Sequence, residues 1–466
     1  KNKTKKRIPS SLTILLSIPM ASVGDVTEID LIVNHHSRAN FDGTTFLIST
    51  YTDNEILAHV PTGNHGKGIY TWHLNNQGLL SEKPLAVSNI TPNPAFILKH
   101  PTLDLVYIST ECIHTENCGE VITCALNLDG SLKEVSRISA GGRSTCYLNI
   151  HHSNKFLTAV NYWDAIVSLF HLDTNGLISS SYVDKHQHPE ASYVFSNNPD
   201  RVEHWTYRQR WPHTHCFVTD PLNKNIHFVC DLGKDIMWVY RILEDEQTSK
   251  LILCGGAQLE INQGPRHVVF HPSLHICFVV NELKSTVSVF EYDSKKVNDV
   301  DQNNNQLNQN VIDDENNVPI YDVPIYDSND SINSFLKHVQ TIRTLPNNFE
   351  SKDHHRSHAA EIRIHPNGNF LLIANRGHDS IACFKINTTI SSNQDQFLSL
   401  VHIIPSGGEC PRNFNFDLTG NFVVVGNQNS NNLTSFSFNQ EDGSMDMIDQ
   451  KYQPSPNFVY PLKQNN

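Results

Sequence analysis

GPRHVVFHPSLHICFVVNELKSTVSVF, Gly264–Phe290, decides how this chain folds, because it is one copy of a phrase that returns. Ala359–Phe384 reads AAEIRIHPNGNFLLIANRGHDSIACF, and Glu409–Phe436 reads ECPRNFNFDLTGNFVVVGNQNSNNLTSF. In each copy a turn residue and a polar strand end stand nine apart: Pro272 and Asn281, Pro366 and Asn375, Leu418 and Asn427. A fixed spacing of this kind, recurring at the length of one supersecondary unit, signals radial repetition.

Working outward from these three, the phrase has seven copies, near Thr45–Leu74, Pro94–Asn127, Thr145–Leu172, His213–Leu243, Arg266–Asp293, His358–Asn387 and Pro411–Asn439. Each reads strand, turn, strand, tight turn, strand, with Asn367-Gly368 and Leu418–Gly420 as short hairpin connections. FLLIAN and FVVVGN are apolar and β-branched, as suits sheets covered on both faces. Phe335–Leu345 offers an outer fourth strand, and Ser455–Leu462 a closing segment for the first blade. The expected fold is all-β, a seven-bladed β-propeller with four-stranded antiparallel blades over residues 44–466, with a β-sandwich as the alternative. Residues 1–43 are read as an extension, and 294–331 as an Asn/Asp-rich disordered insertion.

The chain has 466 residues, 38% apolar and 18% charged, with 26 His and a net charge of -13. That balance argues against nucleic acid, which needs clustered Lys and Arg. Part of the charge is local, since Ser294–Ser331 carries eight Asp or Glu against two Lys. Ten Cys are scattered singly, without paired zinc-type spacing, as free thiols in a reducing compartment would be; Cys112 and Cys118 are the pair that suggests otherwise. Lys1–Arg7 is basic and Ser11–Ala21 apolar, which resembles a signal peptide, although Pro19 and Met20 suit cleavage poorly. A cytoplasmic location is expected, with secretory or organelle targeting left open by that segment. No other apolar run approaches the length of a membrane span.

The repeat fixes orientation. The start of a blade's first strand and the end of its second lie at one end of a hairpin, so Arg266 and Asn281-Glu282 share a face of the disc. His215 with Asp231, Arg412 with Asn427, and Thr110-Glu111 join them on this upper face. The inserts Asp53–Lys67 and Leu177–Trp211 fall at the same end and could form a rim, whereas Asn298–Asn317 falls at the opposite one. The upper face gathers Arg208, His213, His215, Arg266, His267, Glu282, Arg376, His378 and Arg412. In so acidic a protein, Arg and His converging on one mouth read as an anion site, because guanidinium forks match carboxylate and phosphate. Asn161, Asp231, Asn281, Asn375 and Asn427 are expected to satisfy turn backbones instead. Arg266 and Glu282 fit either a brace or a tool. His213 and His215 alternate on one strand and would share a side; no ligand spacing accompanies them, so no metal is expected.

RQRWPHTHC (Arg208–Cys216), GPRHVVFHP (Gly264–Pro272), VVNELKSTVSVF (Val279–Phe290) and NRGHDSIACF (Asn375–Phe384) resemble the lactonase family of seven-bladed propellers. That family includes propeller-type 6-phosphogluconolactonases and 3-carboxy-cis,cis-muconate cyclases. Tyr51–Leu74 is similar to its opening blade, with a longer insert after Thr52. The resemblance runs from about residue 45 to 462. It implies a cofactor-free enzyme acting on a small anionic sugar lactone. The expected reaction is hydrolysis of 6-phosphogluconolactone, a pentose-phosphate step. His213, His215, Arg266 and Glu282 would be catalytic, and Arg208, His267, Arg376 and Arg412 would bind substrate. A lactonising cyclase of the muconate type and a non-catalytic binding platform are the alternatives.

Overall fold

The computed structural model describes residues 42–463 apart from 60, 116–117, 180, 189–207, 246–248, 298–310, 314–317, 321–324, 330–333, 350–356 and 389–395. Most of the expected N-terminal extension therefore lies outside the described residues, and the first strand opens at Gly43.

Seven sheets follow one another, each built on four antiparallel strands laid down from the axis outward, with a fifth, parallel strand added to that of blade 4. Blades 2 and 3 begin with Pro94–Lys99 and Thr145–Ile150, and blade 4 with a short piece at Val218–Thr219. Blades 5, 6 and 7 begin with Pro265–Phe270, His358–Ile364 and Pro411–Phe416. Blade 1 is closed by the C-terminus: Pro456–Pro461 pairs with Gly43–Thr50 as its innermost strand. Leu336–Arg343 supplies the outer strand of blade 5, as its sequence suggests.

The core lies between blades. Phe278, Val280, Val287 and Val289 of blade 5 pack against Ile362, Leu371, Ile373 and Phe384 of blade 6. A strand sandwiched in this way is apolar on both faces, which is why Phe370–Ala374 is buried residue after residue. In the Asn367-Gly368 hairpin Gly368 has φ +79°, a conformation that glycine adopts without strain.

Two segments differ from the reading of the sequence. Asp184–Gln187, inside the expected rim insert Leu177–Trp211, is the outer strand of blade 3, because it continues the ladder of Ile166–His171. Ile325–Asp327, inside the Asn/Asp-rich insertion, pairs in parallel with Gly256–Gln258 at the outer edge of blade 4. That segment thus returns along the rim between blades 4 and 5 and is not confined to the lower face.

Candidate functional site

The site is built by one local device used around the ring. Where each innermost strand starts, its pairing with the second strand slips by one residue. The slip falls between Pro265 and His267, Pro411 and Asn413, and Thr145 and Tyr147, and between Ala359 and Ile362 and Pro94 and Ile97. In blade 1 Thr50 pairs with Pro456 but Ser49 with Phe458, so Asn457 is the extra residue. A bulged residue leaves the regular pleat, and its side chain can be aimed where the pleat would not send it. Cys146, Arg266, Arg412 and Asn457 are the extra residues of four blades, and with Ala95 from the blade 2 slip they line one narrow, open cleft on the axis; the blade 6 slip, at Ala360-Glu361, is not part of its lining. His215 takes the same place in blade 4, one residue past the isolated Thr214–Asp231 bridge. Phe96, His267, Asn413 and Phe458 form the next layer down, and Tyr51 and Glu111 stand at the mouth.

The residues after the polar strand ends form a second ring that grips the first. Glu282 follows Asn281 and is clamped by three guanidiniums. Arg208 NH2 lies 2.7 Å from Oε1, while Arg266 Nε and Arg376 NH2 each lie 3.1 Å from Oε2. The Arg266 approach is an ion pair outside hydrogen-bond geometry. Burial alone would push the Glu282 carboxyl up; the Arg208, Arg376 and Arg266 charges outweigh it and hold the group well below the usual carboxylate range. Glu111 follows Thr110, accepts from Tyr51 Oη at 3.1 Å and pairs with Arg412 NH2 at 3.3 Å. Arg412 makes no other hydrogen bond among the described residues, and its guanidinium lies 5.3 Å from the centroid of the Tyr51 ring. A third carboxylate, Glu361, meets His267 Nδ1 at 3.2 Å and Arg363 at 3.4 Å. Burial works against its ionisation, but Arg363 and His267 hold it at about 2.

Not every expected residue faces the cleft. His215 does; burial, reinforced by Arg266 and His267, keeps its ring well below the ordinary histidine value and uncharged. Its Nδ1 has no partner among the described residues. His213 shares the Tyr162 neighbour with it but stacks flat on that ring, 4.6 Å away at 7°. Arg208 donates to Tyr162 Oη and to Glu282, and Arg376 to the carbonyls of His358 and Ala359. His378 sits in an outer hairpin, bonded to Ser380 Oγ at 2.7 Å, and does not reach the cleft. The strand-end polar residues behave as expected: Asn281 donates to Thr286 and Ser288, Asn375 to the Thr344 carbonyl, and Asp231 accepts from three backbone N–H groups.

Tyr51, Glu111, Cys146, Glu361 and Asn457 were not among the candidate site residues. All but Tyr51 and Glu111 lie on innermost strands, where aligning the copies puts Cys146 and Asn457 level with Arg266, and Glu361 level with His267. Among the described residues one group has metal-ligand proximity, His151, His152 and Glu244, on the opposite face. His151 Nδ1 there is bonded to Ser153 within its own turn and Lys155 lies 3.3 Å from Glu244, which fits a turn brace.

The chain matches the family "Lactonase, 7-bladed beta-propeller" over residues 45–309 and 320–461. A 6-phosphogluconolactonase of Bacillus subtilis is 24% identical over 398 residues, 84% of this chain and 94% of that one. A 6-phosphogluconolactonase of Formosa agariphila is 26% identical over 390 residues, 83% of this chain and 92% of its own length. The solved structure of the periplasmic gluconolactonase of Pseudomonas aeruginosa superposes with a TM-score of 0.67 at 21% identity, covering 90% of this chain and 99% of that one. Fold, closure and repeat register all agree with that match, and the protein belongs to the seven-bladed β-propeller lactonase family.

Proposed function

We propose that the protein hydrolyses 6-phosphogluconolactone to 6-phosphogluconate. The observation that carries this reading is the charge of the cleft. Arg266 and Arg412 line it and Arg208 and Arg376 stand behind them; the carboxylates these four reach are Glu111 and Glu282, which leaves two guanidinium charges in excess around the cleft of a protein whose net charge is -13. A cationic funnel in an acidic molecule concentrates a small anion. The two relatives named as 6-phosphogluconolactonases supply the substrate class.

Water adds to the ester carbonyl, the oxyanion collapses, the bond to the ring oxygen breaks, and a hydroxyl and a carboxylic acid result, the acid then losing its proton to solvent. Arg266 and Arg412 face the cleft from blades 5 and 7 and hold the phosphate and the developing oxyanion. His215 enters uncharged with an unpartnered nitrogen, the state needed to take a proton from water. An arriving anion offsets the Arg266 charge that depresses it, so its basicity rises when substrate is bound. The protonated ring then returns the proton to the leaving oxygen. Glu282, tied to three guanidiniums, serves in this scheme as their anchor, and His213 positions Tyr162 and through it Arg208.

The test is lactone loss above spontaneous hydrolysis, in the wild type and in Arg266→Ala. Turnover that falls by ~10²-fold in the variant is expected for a lost oxyanion donor. Folded wild-type protein with no turnover would end the proposal.

A further inference from the structure

The rim insertion Asp53–Lys67 is tied down on both sides of the mouth. On the blade 7 side, Asn64 N donates to Asn431 Oδ1 at 2.6 Å and Asn64 Nδ2 to Tyr452 Oη at 3.0 Å. On the blade 2 side, Ile113 N donates to the Ile56 carbonyl at 3.0 Å, and Leu57 is buried. Gly66 N donates to the Tyr51 carbonyl at 2.7 Å. The strap so anchored sets His59 against Tyr51, which lines the cleft. Its ring meets Tyr51 edge-on, centroids 5.2 Å apart, and Arg412 lies 5.3 Å from the centroid of the same tyrosine ring. His59 Nε2 is buried with no hydrogen-bond partner among the described residues. Burial, then the Arg412 charge, lowers its pKa to about 4, so the ring is uncharged at neutral pH.

We propose that His59 is a specificity-determining residue of the cleft, an uncharged hydrogen-bonding group for a hydroxyl at the outward end of a polyhydroxylated lactone whose anionic group the guanidiniums hold. This rests on the lactonase reading and deepens it. A buried ring nitrogen without a partner carries an unmet desolvation cost, and a substrate hydroxyl meets it. A dicarboxylate without hydroxyls leaves the nitrogen bare. A site that hydrogen-bonds a substrate hydroxyl discriminates against analogues lacking it, for that reason.

Titration calorimetry with 6-phosphogluconate and with cis,cis-muconate, on wild type, His59→Ala and His59→Gln, tests this alongside steady-state kinetics and thermal denaturation. His59→Ala is expected to weaken 6-phosphogluconate about tenfold and to raise KM more than it lowers kcat. His59→Gln restores most of that binding, and muconate is bound more weakly and equally by all three proteins. Unchanged 6-phosphogluconate affinity in both variants, with turnover in the wild type, overturns the role of His59 alone. Equal losses for both ligands with a lowered Tm mean a merely structural residue and overturn it too. A wild type that neither turns over the lactone nor binds 6-phosphogluconate overturns the lactonase reading and this inference with it.

Discussion

Glu282 and Arg412 are both charged and largely buried, yet they should respond to removal in opposite ways. Glu282→Gln leaves three guanidiniums facing a neutral amide. Breaking a buried ion cluster from one side costs about 3–5 kcal/mol, reduced here because the Arg208 side chain is 35% exposed. The expected outcome is a clear fall in Tm by thermal denaturation; an unaltered Tm would remove its role as anchor. Arg412→Ala strips a donor from the cleft but leaves Glu111 bonded to Tyr51 Oη. Its signature should be kinetic, a loss of kcat/KM of ~10²-fold with a smaller change in Tm than Glu282→Gln produces. Full turnover in Arg412→Ala would show that the substrate anion is held elsewhere.

At the scale of the strand, the bulge explains both what the sequence disclosed and what it hid. Spacings of nine located the hairpins, and apolar, β-branched runs such as FLLIAN gave strands, so blade number, closure and the upper face were legible. Arg266, Arg412 and His215 could be picked out because their side chains are unusual for a buried strand. A regular pleat, however, assigns each of them to a blade face; the slipped pairing at Pro265–His267 is what turns Arg266 to the axis. Slips are set by backbone pairing and leave no composition signal, so Cys146 and Asn457 looked like ordinary strand residues. Glu361 was masked by the apolar AAEIRI around it. The account is testable by deleting Arg266 in a protein that also carries Pro265→Arg. The arginine is kept while the extra residue is lost, so the ladder closes and the guanidinium falls on the pleat. A native-like circular dichroism spectrum with turnover as low as that of Arg266→Ala is expected. Retained turnover would show that the slip does not aim the side chain.

At the scale of the whole molecule, a ring holds only when closed, and here the closing strand also reaches the cleft. Pro456–Pro461 covers Gly43–Thr50 and contributes Asn457 and Phe458 to the axis. Truncation after Pro454 should therefore abolish the cooperative thermal transition as well as activity; a truncated protein with a sharp, near-native transition would contradict closure by this strand. The ring also buries histidines uncharged. His59 and His267 are lowered to about 4 by burial and then by Arg412 and Arg266 respectively. His227 is lowered to about 3 by burial and then by His151. His151 is lowered to about 4 by burial and then by His152; lying beside the exposed His152 and Glu244, it should count least. Below the ordinary value near ~6.5 the unfolded chain binds protons that the folded one refuses until about pH 4. The stability these groups sustain is thus full above ~6.5 and is lost as pH falls through that window, at up to ~1.4 kcal/mol per pH unit for each group. Glu361, held at about 2 by Arg363 and His267 against burial, extends the loss below pH 4, since a depressed carboxyl stabilises only while ionised. Tm should accordingly drop steeply between pH 6.5 and 4.5, and His227→Phe, which removes one of the refused protons, should flatten the slope. A Tm constant across that interval would mean that these rings take up protons in the folded state as readily as in the unfolded chain, and that the interior around them is wetter than its packing implies.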